Sequence, residues 1–185
     1  MPNPENSFLT LRPRSIWNDW NFNLLDREGR IVGSIDIPMW AQAKNARLRW
    51  QHPEDAIAAE LNIGSQTGRI RFEYLSRGWT NVIRWTLESI DGDVLACLDQ
   101  LRPETKLGGT ARFLLTKPFP AELLAISRRW GNIRMDLKIA GGNQMPCVST
   151  PKRFSIRREL RVENDALAPA IQAFIGFIAL TYYCS

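Results

Sequence analysis

The stretch KRFSIRRELR (152–161) holds the clearest spacing of chemically capable side chains in the chain. In an extended strand alternate residues share a face. Arg153, Ser155, Arg157, Glu159 and Arg161 therefore look one way, while Phe154, Ile156 and Leu160 look the other and Arg158 interrupts the apolar row. Guanidinium groups hold phosphate through paired N–H donors, and Lys152 at the start of the strand adds a further cation. The chemistry offered is recognition of an anion such as a lipid headgroup. The same alternation also describes the solvated outer face of a half-buried strand.

Other residue types offer less. His52 is the single histidine and stands in a Trp-Gln-His-Pro turn, with no Ser, Cys or carboxylate cluster beside it to make a base. LGGT (107–110) and AGGN (140–143) are glycine pairs that do not lead from strand to helix with phosphate-loop spacing, so they read as turns. Asp91 and Asp93 flank a glycine where Asp favours turn geometry by itself, and Glu54 and Asp55 form a second acidic pair. Cys97, Cys147 and Cys184 are odd in number, widely spaced and outside any CxxC, which points to reduced thiols and away from zinc or a disulfide framework. Seven tryptophans suit core packing on strands, with Trp40 and Trp79 nearer turns. No catalytic constellation emerges, so the expectation is a non-enzymatic protein without cofactor or metal.

The balance of charge is compatible with a binding role and equally with a solvated face on a moderately basic protein. The chain of 185 residues carries a net charge of +5, and it is unevenly placed. Residues 112–161 hold eleven Lys or Arg against three acids, whereas residues 1–111 hold thirteen against fourteen. A basic half attracts phosphates of lipid or nucleic acid through its long-range field. The opening MPNPENSFLT has neither a basic nor an apolar segment of the secretory kind, so the expected compartment is the cytoplasm.

The elements that must position these residues read as strands. RIRFEYL (69–75), NIRMDLKIA (132–140) and RFSIRRELRV (153–162) alternate apolar and charged residues with period two, the mark of half-buried antiparallel strands. Two segments repeat without a gap: FNLLDREGRIVGSID (22–36) and WTLESIDGDVLACLD (85–99). Each runs through an apolar strand, a turn with one glycine (Gly29, Gly92) and a second strand that ends in Asp. Further strands are expected at 8–12, 46–50, 110–116 and 145–149, a number that suits a sandwich or a barrel. Two segments carry helix signals: HPEDAIAAEL (52–61) and PAELLAISRRWG (120–131) each open with Pro and acids, and the second closes on Arg128, Arg129 and Gly131.

The chain closes on ALAPAIQAFIGFIALTYYCS (166–185), where Asn164 or Asp165 can cap a helix and Pro169 falls in its first turn. Such a helix is apolar all round, hence buried in protein or in lipid. A spanning helix needs about 20 apolar residues with flanking anchors. Here only Ser185 follows the run, and Gln172 and Gly176 lie in its middle.

Strand–turn–strand units of the LLDREGRIVGSI kind, the charged strand RFSIRRELRVEND and the terminal AFIGFIALTYYCS together resemble the Tubby C-terminal-like superfamily, which includes Tubby proteins, phospholipid scramblases and LURP-one-related proteins. The resemblance implies a closed antiparallel β-barrel with the hydrophobic helix in its lumen. For this chain that means a mainly β fold of about 10–12 strands around a central helix at 165–183, with one or two short additional helices, in a single domain over 1–185. It also implies an adaptor or binding module for anionic lipid headgroups or a protein partner, cytoplasmic or membrane-associated. The acids that would bind calcium at a scramblase terminal helix are missing, so no calcium site follows. Rival readings are a tail-anchored membrane protein with a cytoplasmic β domain and a nucleic-acid binder; the second lacks any RNP-like or helix-turn-helix motif. Deleting residues 166–185 separates filler from anchor. Loss of a filler should leave an insoluble or molten product, whereas a soluble, cooperatively melting truncation would show that the tail is dispensable to the fold.

Overall fold

The computed structural model describes residues 8–15, 18–37, 57–76, 82–101, 111–128, 132–139, 142–150 and 159–184. Twelve strands close into one antiparallel barrel in which each strand pairs with its chain neighbours and β1 pairs with β12. They are β1 (Phe8–Ser15), β2 (Asn18–Leu25), β3 (Ile31–Asp36), β4 (Ile57–Ile63), β5 (Gln66–Ser76) and β6 (Val82–Ser89), followed by β7 (Val94–Leu101), β8 (Ala111–Lys117), β9 (Ala121–Arg128), β10 (Asn132–Ile139), β11 (Gln144–Ser149) and β12 (Leu160–Glu163). One helix, α1 (Pro169–Cys184), follows β12.

Inward residues alternate with outward ones as the sequence pattern requires. Leu9 and Leu11 of β1, Leu24 of β2, Met135 and Leu137 of β10, and Leu160 and Val162 of β12 are buried and belong to a single core. The two repeated segments form equivalent hairpins, β2–β3 and β6–β7. Gly29 and Gly92 take φ of 80° and 90°, a region glycine enters without strain. The amide of Gly29 donates to the Asp26 carbonyl at 3.1 Å and that of Gly92 to the Ser89 carbonyl at 3.1 Å. In each hairpin the register slips at the same place, between Leu24 and Leu25 in one and between Leu87 and Glu88 in the other. The repeat is thus geometrical as well as textual.

Both short helices expected from the sequence are corrected. PAELLAISRRWG contributes β9, with Ala121 and Leu123 in the core and Glu122 on the outer side, where its carboxylate meets Arg112 at 2.6 Å. HPEDAIAAEL leads into β4, where Ala59, Leu61 and Ile63 face inward; residues 52–56 lie outside the described residues, as does the strand expected at 46–50. Ala, Glu and Leu favour helix by a few tenths of a kcal/mol per residue. Ladders to both neighbours outweigh that preference, because β9 joins β8 to β10 and β4 joins β3 to β5.

The terminal helix fills the lumen. It begins at Pro169, four residues past the expected start at 165, because Asn164 first forms a turn. Its side-chain oxygen accepts the Ala166 N–H at 3.0 Å, and its carbonyl accepts that of Leu167 at 3.2 Å. Helical bonding starts when the Ala168 carbonyl accepts from Ile171 and Gln172 at 2.9 and 3.0 Å. The missing N–H of Pro169 costs nothing at that position. Every residue from Ala170 to Leu180 is buried, Gln172 included, whose amide nitrogen donates to the carbonyls of Asn164 and Leu167 at 3.1 and 3.0 Å. Among the described residues no helix is long and apolar enough to cross a membrane.

The helix lies nearer one wall. A Cβ built on Gly176 would stand 2.7 Å from Leu11 Cδ1 and 2.9 Å from Val162 Cγ2, so β1 and β12 approach the helix backbone directly. On the other side the Phe177 ring reaches out to meet Trp85 of β6 edge-on, with centroids 6.1 Å apart. Gly176→Leu should therefore destabilise by overpacking, about 1–3 kcal/mol or more. For a chain of this size each kcal/mol lowers the melting temperature by about 2–4 °C. Thermal unfolding followed by circular dichroism measures the drop, and an unchanged midpoint would place position 176 outside tight packing.

Candidate functional site: a cationic patch on the barrel exterior

Of the four sequence-predicted site residues, Lys152, Arg153 and Arg157 lie outside the described residues, and Arg161 lies on β12. Arg161 is exposed between Leu160 and Val162, both fully buried, which fixes it on the outer face. Its direct cross-strand neighbours are Thr10 of β1 and Ser149 of β11. Its guanidinium stands 5.5 Å over the Phe8 ring, and Arg27, from the β2–β3 turn, stands 5.8 Å over the same ring. Two guanidinium groups thus converge on one aromatic ring, an arrangement that holds their planes while leaving N–H edges for an anion.

Most other described arginines of the exterior are different in kind. Arg12, Arg14, Arg71, Arg84, Arg112 and Arg134 each lie within 2.9 Å of a carboxylate. One of these joins Arg84 to Asp99 across β6 and β7, with both carboxylate oxygens accepting at 2.7 and 2.9 Å. Hydrogen bonds donated to that carboxylate, opposed by burial, push the guanidinium pKa above its ordinary value. Apart from Arg134, whose partner Asp136 lies two residues along the same strand, these arginines form a belt of pairs between strands that stabilises the sheet. Arg161 has no carboxylate partner among the described residues. Arg27 has a loose one, Glu163 at 3.7 Å, with both side chains well exposed, a geometry worth little in water.

Phe8 and Arg27 were not legible as site residues. They meet Arg161 only through the pairing of β1 with β12 and the reach of the β2–β3 turn, and no local pattern specifies barrel closure. Asp91 and Asp93 serve the β6–β7 turn: the Asp93 carbonyl accepts the Ser89 N–H at 2.8 Å, and its own N–H donates to the Ser89 hydroxyl at 3.1 Å. In AGGN, Gly142 donates to the Ile139 carbonyl at 2.9 Å and closes the turn between β10 and β11. His52, Trp40, Trp79, Glu54, Asp55 and LGGT lie outside the described residues. Comparison with family models, with curated proteins and with solved structures gives no match.

The described thiols are free, Cys97 half-exposed and Cys147 buried. Burial, reinforced by the Asp136 carboxylate, pushes the Cys147 thiol from 9.0 up to about 12. The thiolate is the reactive form, so Cys147 should resist alkylation by iodoacetamide at pH 8 while Cys97 reacts. A raised folded pKa means that the protonated thiol stabilises the fold below about 9, and that this contribution fades as the pH climbs from there toward 12. Peptide mapping after timed alkylation reads both sites; equal labelling of Cys147 and Cys97 in the folded protein would contradict the burial.

Proposed function

We propose that this chain is a non-enzymatic binding module of the Tubby C-terminal-like kind that docks its basic exterior on phosphate groups, most simply those of anionic lipid at a cytoplasmic membrane surface. One observation carries the reading. Arg161 is exposed and without a carboxylate among the described residues, on a barrel where most described arginines are paired. A guanidinium held against an aromatic ring loses little entropy on taking a phosphate, and binding replaces no strong ion pair. Arg27 shares the ring and can exchange its loose Glu163 contact for the same phosphate. Lys152, Arg153 and Arg157 precede Arg161 in the chain and add to its field at longer range.

The tail-anchor alternative requires α1 to leave the lumen, which would expose the apolar inner walls of twelve strands to water. That cost makes a surface-docked barrel the more economical way to meet a membrane.

Liposome co-sedimentation with and without phosphatidylserine tests the reading. Each basic residue near an anionic surface contributes about 1 kcal/mol, so Arg161→Gln should weaken binding by about fivefold and the Arg27→Gln/Arg161→Gln pair by about thirtyfold at low salt. Added salt should shrink both effects. Arg12→Gln, which removes a paired arginine, should change binding less than Arg161→Gln. Indifference of the unsubstituted protein to every liposome would remove lipid as the partner and leave a protein surface in its place.

A further inference from the structure

The inner face of β5, β6 and β7 changes character along the barrel axis. Three cross-strand rows point into the lumen, because directly paired residues share a face. Ile70, Leu87 and Ala96 form the first row and are wholly buried. Phe72, Trp85 and Leu98 form the second, in which only Leu98 is fully buried. Tyr74, Ile83 and Gln100 form the third, and solvent reaches all three. Residues that belong to a barrel interior by register are thus left half-covered on this side.

The position of α1 explains the opening. With Gly176 against β1 and β12, the helix backbone lies farther from β6 and β7, and the Phe177 ring spans the distance to Trp85. Phe177 reaches Trp85, Trp85 leans on Phe72 with centroids 5.4 Å apart, and Phe72 meets Tyr74 edge-on at 6.1 Å. Among the described residues the third row is covered again only at Phe113 of β8, the buried partner of Gln100. The walls there are aromatic and aliphatic, and no charged side chain stands in the three rows. One polar group is aimed by its partner: the indole Nε1 of Trp85 donates to Gln100 Oε1 at 3.2 Å. An indole N–H only donates, so it holds the amide oxygen and turns the amide NH2 away from Trp85 as a donor.

We propose that this half-covered inner face is a binding site for a neutral, flat apolar small molecule with a hydrogen-bond acceptor, which stacks on Trp85 and Phe72 and accepts from the Gln100 amide. A charged ligand would lose its hydration among apolar walls without an ion to replace it, whereas a flat apolar body gains by covering rings that are now wet. Barrel mouths are common places for such sites. The site lies on the inner face of β5–β7, the cationic patch on the outer face of β1 and β12, and the two stand or fall independently.

Two neutral naphthalene fluorophores test the proposal on the intact chain: prodan, which carries a ketone acceptor, and phenylnaphthylamine, which carries no carbonyl. Prodan should bind saturably at one site with a blue-shifted emission. Gln100→Leu should weaken prodan by about five- to tenfold, the value of one hydrogen bond, and leave phenylnaphthylamine within about twofold. Ile83→Trp should fill the mouth and abolish both, while Leu75→Ala, on the outer face of β5 and 45% exposed, should alter neither. Each variant must first melt cooperatively, and if Ile83→Trp does not, the Gln100→Leu contrast between the two probes decides. Unsaturable binding to the parent, an equal loss of both probes in Gln100→Leu, or full binding to a folded Ile83→Trp would overturn the site.

Discussion

The burial of an apolar helix inside the barrel is the interaction on which the rest depends. Twelve strands spaced by about 4.8 Å and tilted by about 40° enclose a backbone cylinder of roughly 12 Å radius. Inward side chains from opposite walls cannot meet across that width. A helix with its side chains is about 10–12 Å across and carries its backbone hydrogen bonds internally, so it fills the gap without leaving polar groups unpaired. The sequence of α1 suits that task at each position from Ala170 to Leu180, all of them buried. Gln172 is the polar exception, and its amide nitrogen ties the first turn of the helix to the carbonyls of Asn164 and Leu167.

With the interior committed to packing, chemical variety moves to the outer wall and to the ends. On the outer wall, cross-strand pairs such as Arg84–Asp99 and Arg71–Glu88 consume most of the described charge. They reinforce register, because a slip of one residue would send each pair into the apolar core. The guanidinium groups of Arg161 and Arg27 escape that pattern by resting on Phe8. At β5–β7 the off-centre helix leaves a layer of rings half-covered. Both departures arise from one geometry, a closed wall around a filler that fits one side more tightly than the other.

What the sequence disclosed follows the range of the interactions involved. The hairpin repeat was legible because turn glycines and period-two alternation act within a few residues, and the two copies match even in the place of their bulge. The tail was legible as core because no face of it is polar. The strands β4 and β9 were misread as helices because AIAAEL and AELLAI are rich in helix-favouring residues, while the pairings that hold them extended come from neighbouring strands. Arg161 was visible as an outward cation, but its meeting with Phe8 and Arg27 was not, since it depends on how β1 closes on β12.

Native-state hydrogen exchange of the amides of Ala170 to Leu180 reads the role of α1 most directly. If the helix is the core of the barrel, those amides can open only when the barrel opens, so they should exchange with the slowest strand amides of β1 and β12 and share their dependence on denaturant. Exchange of the helix amides far faster than those strands, with little denaturant dependence, would show a helix that leaves a stable barrel behind and would contradict its place as the core.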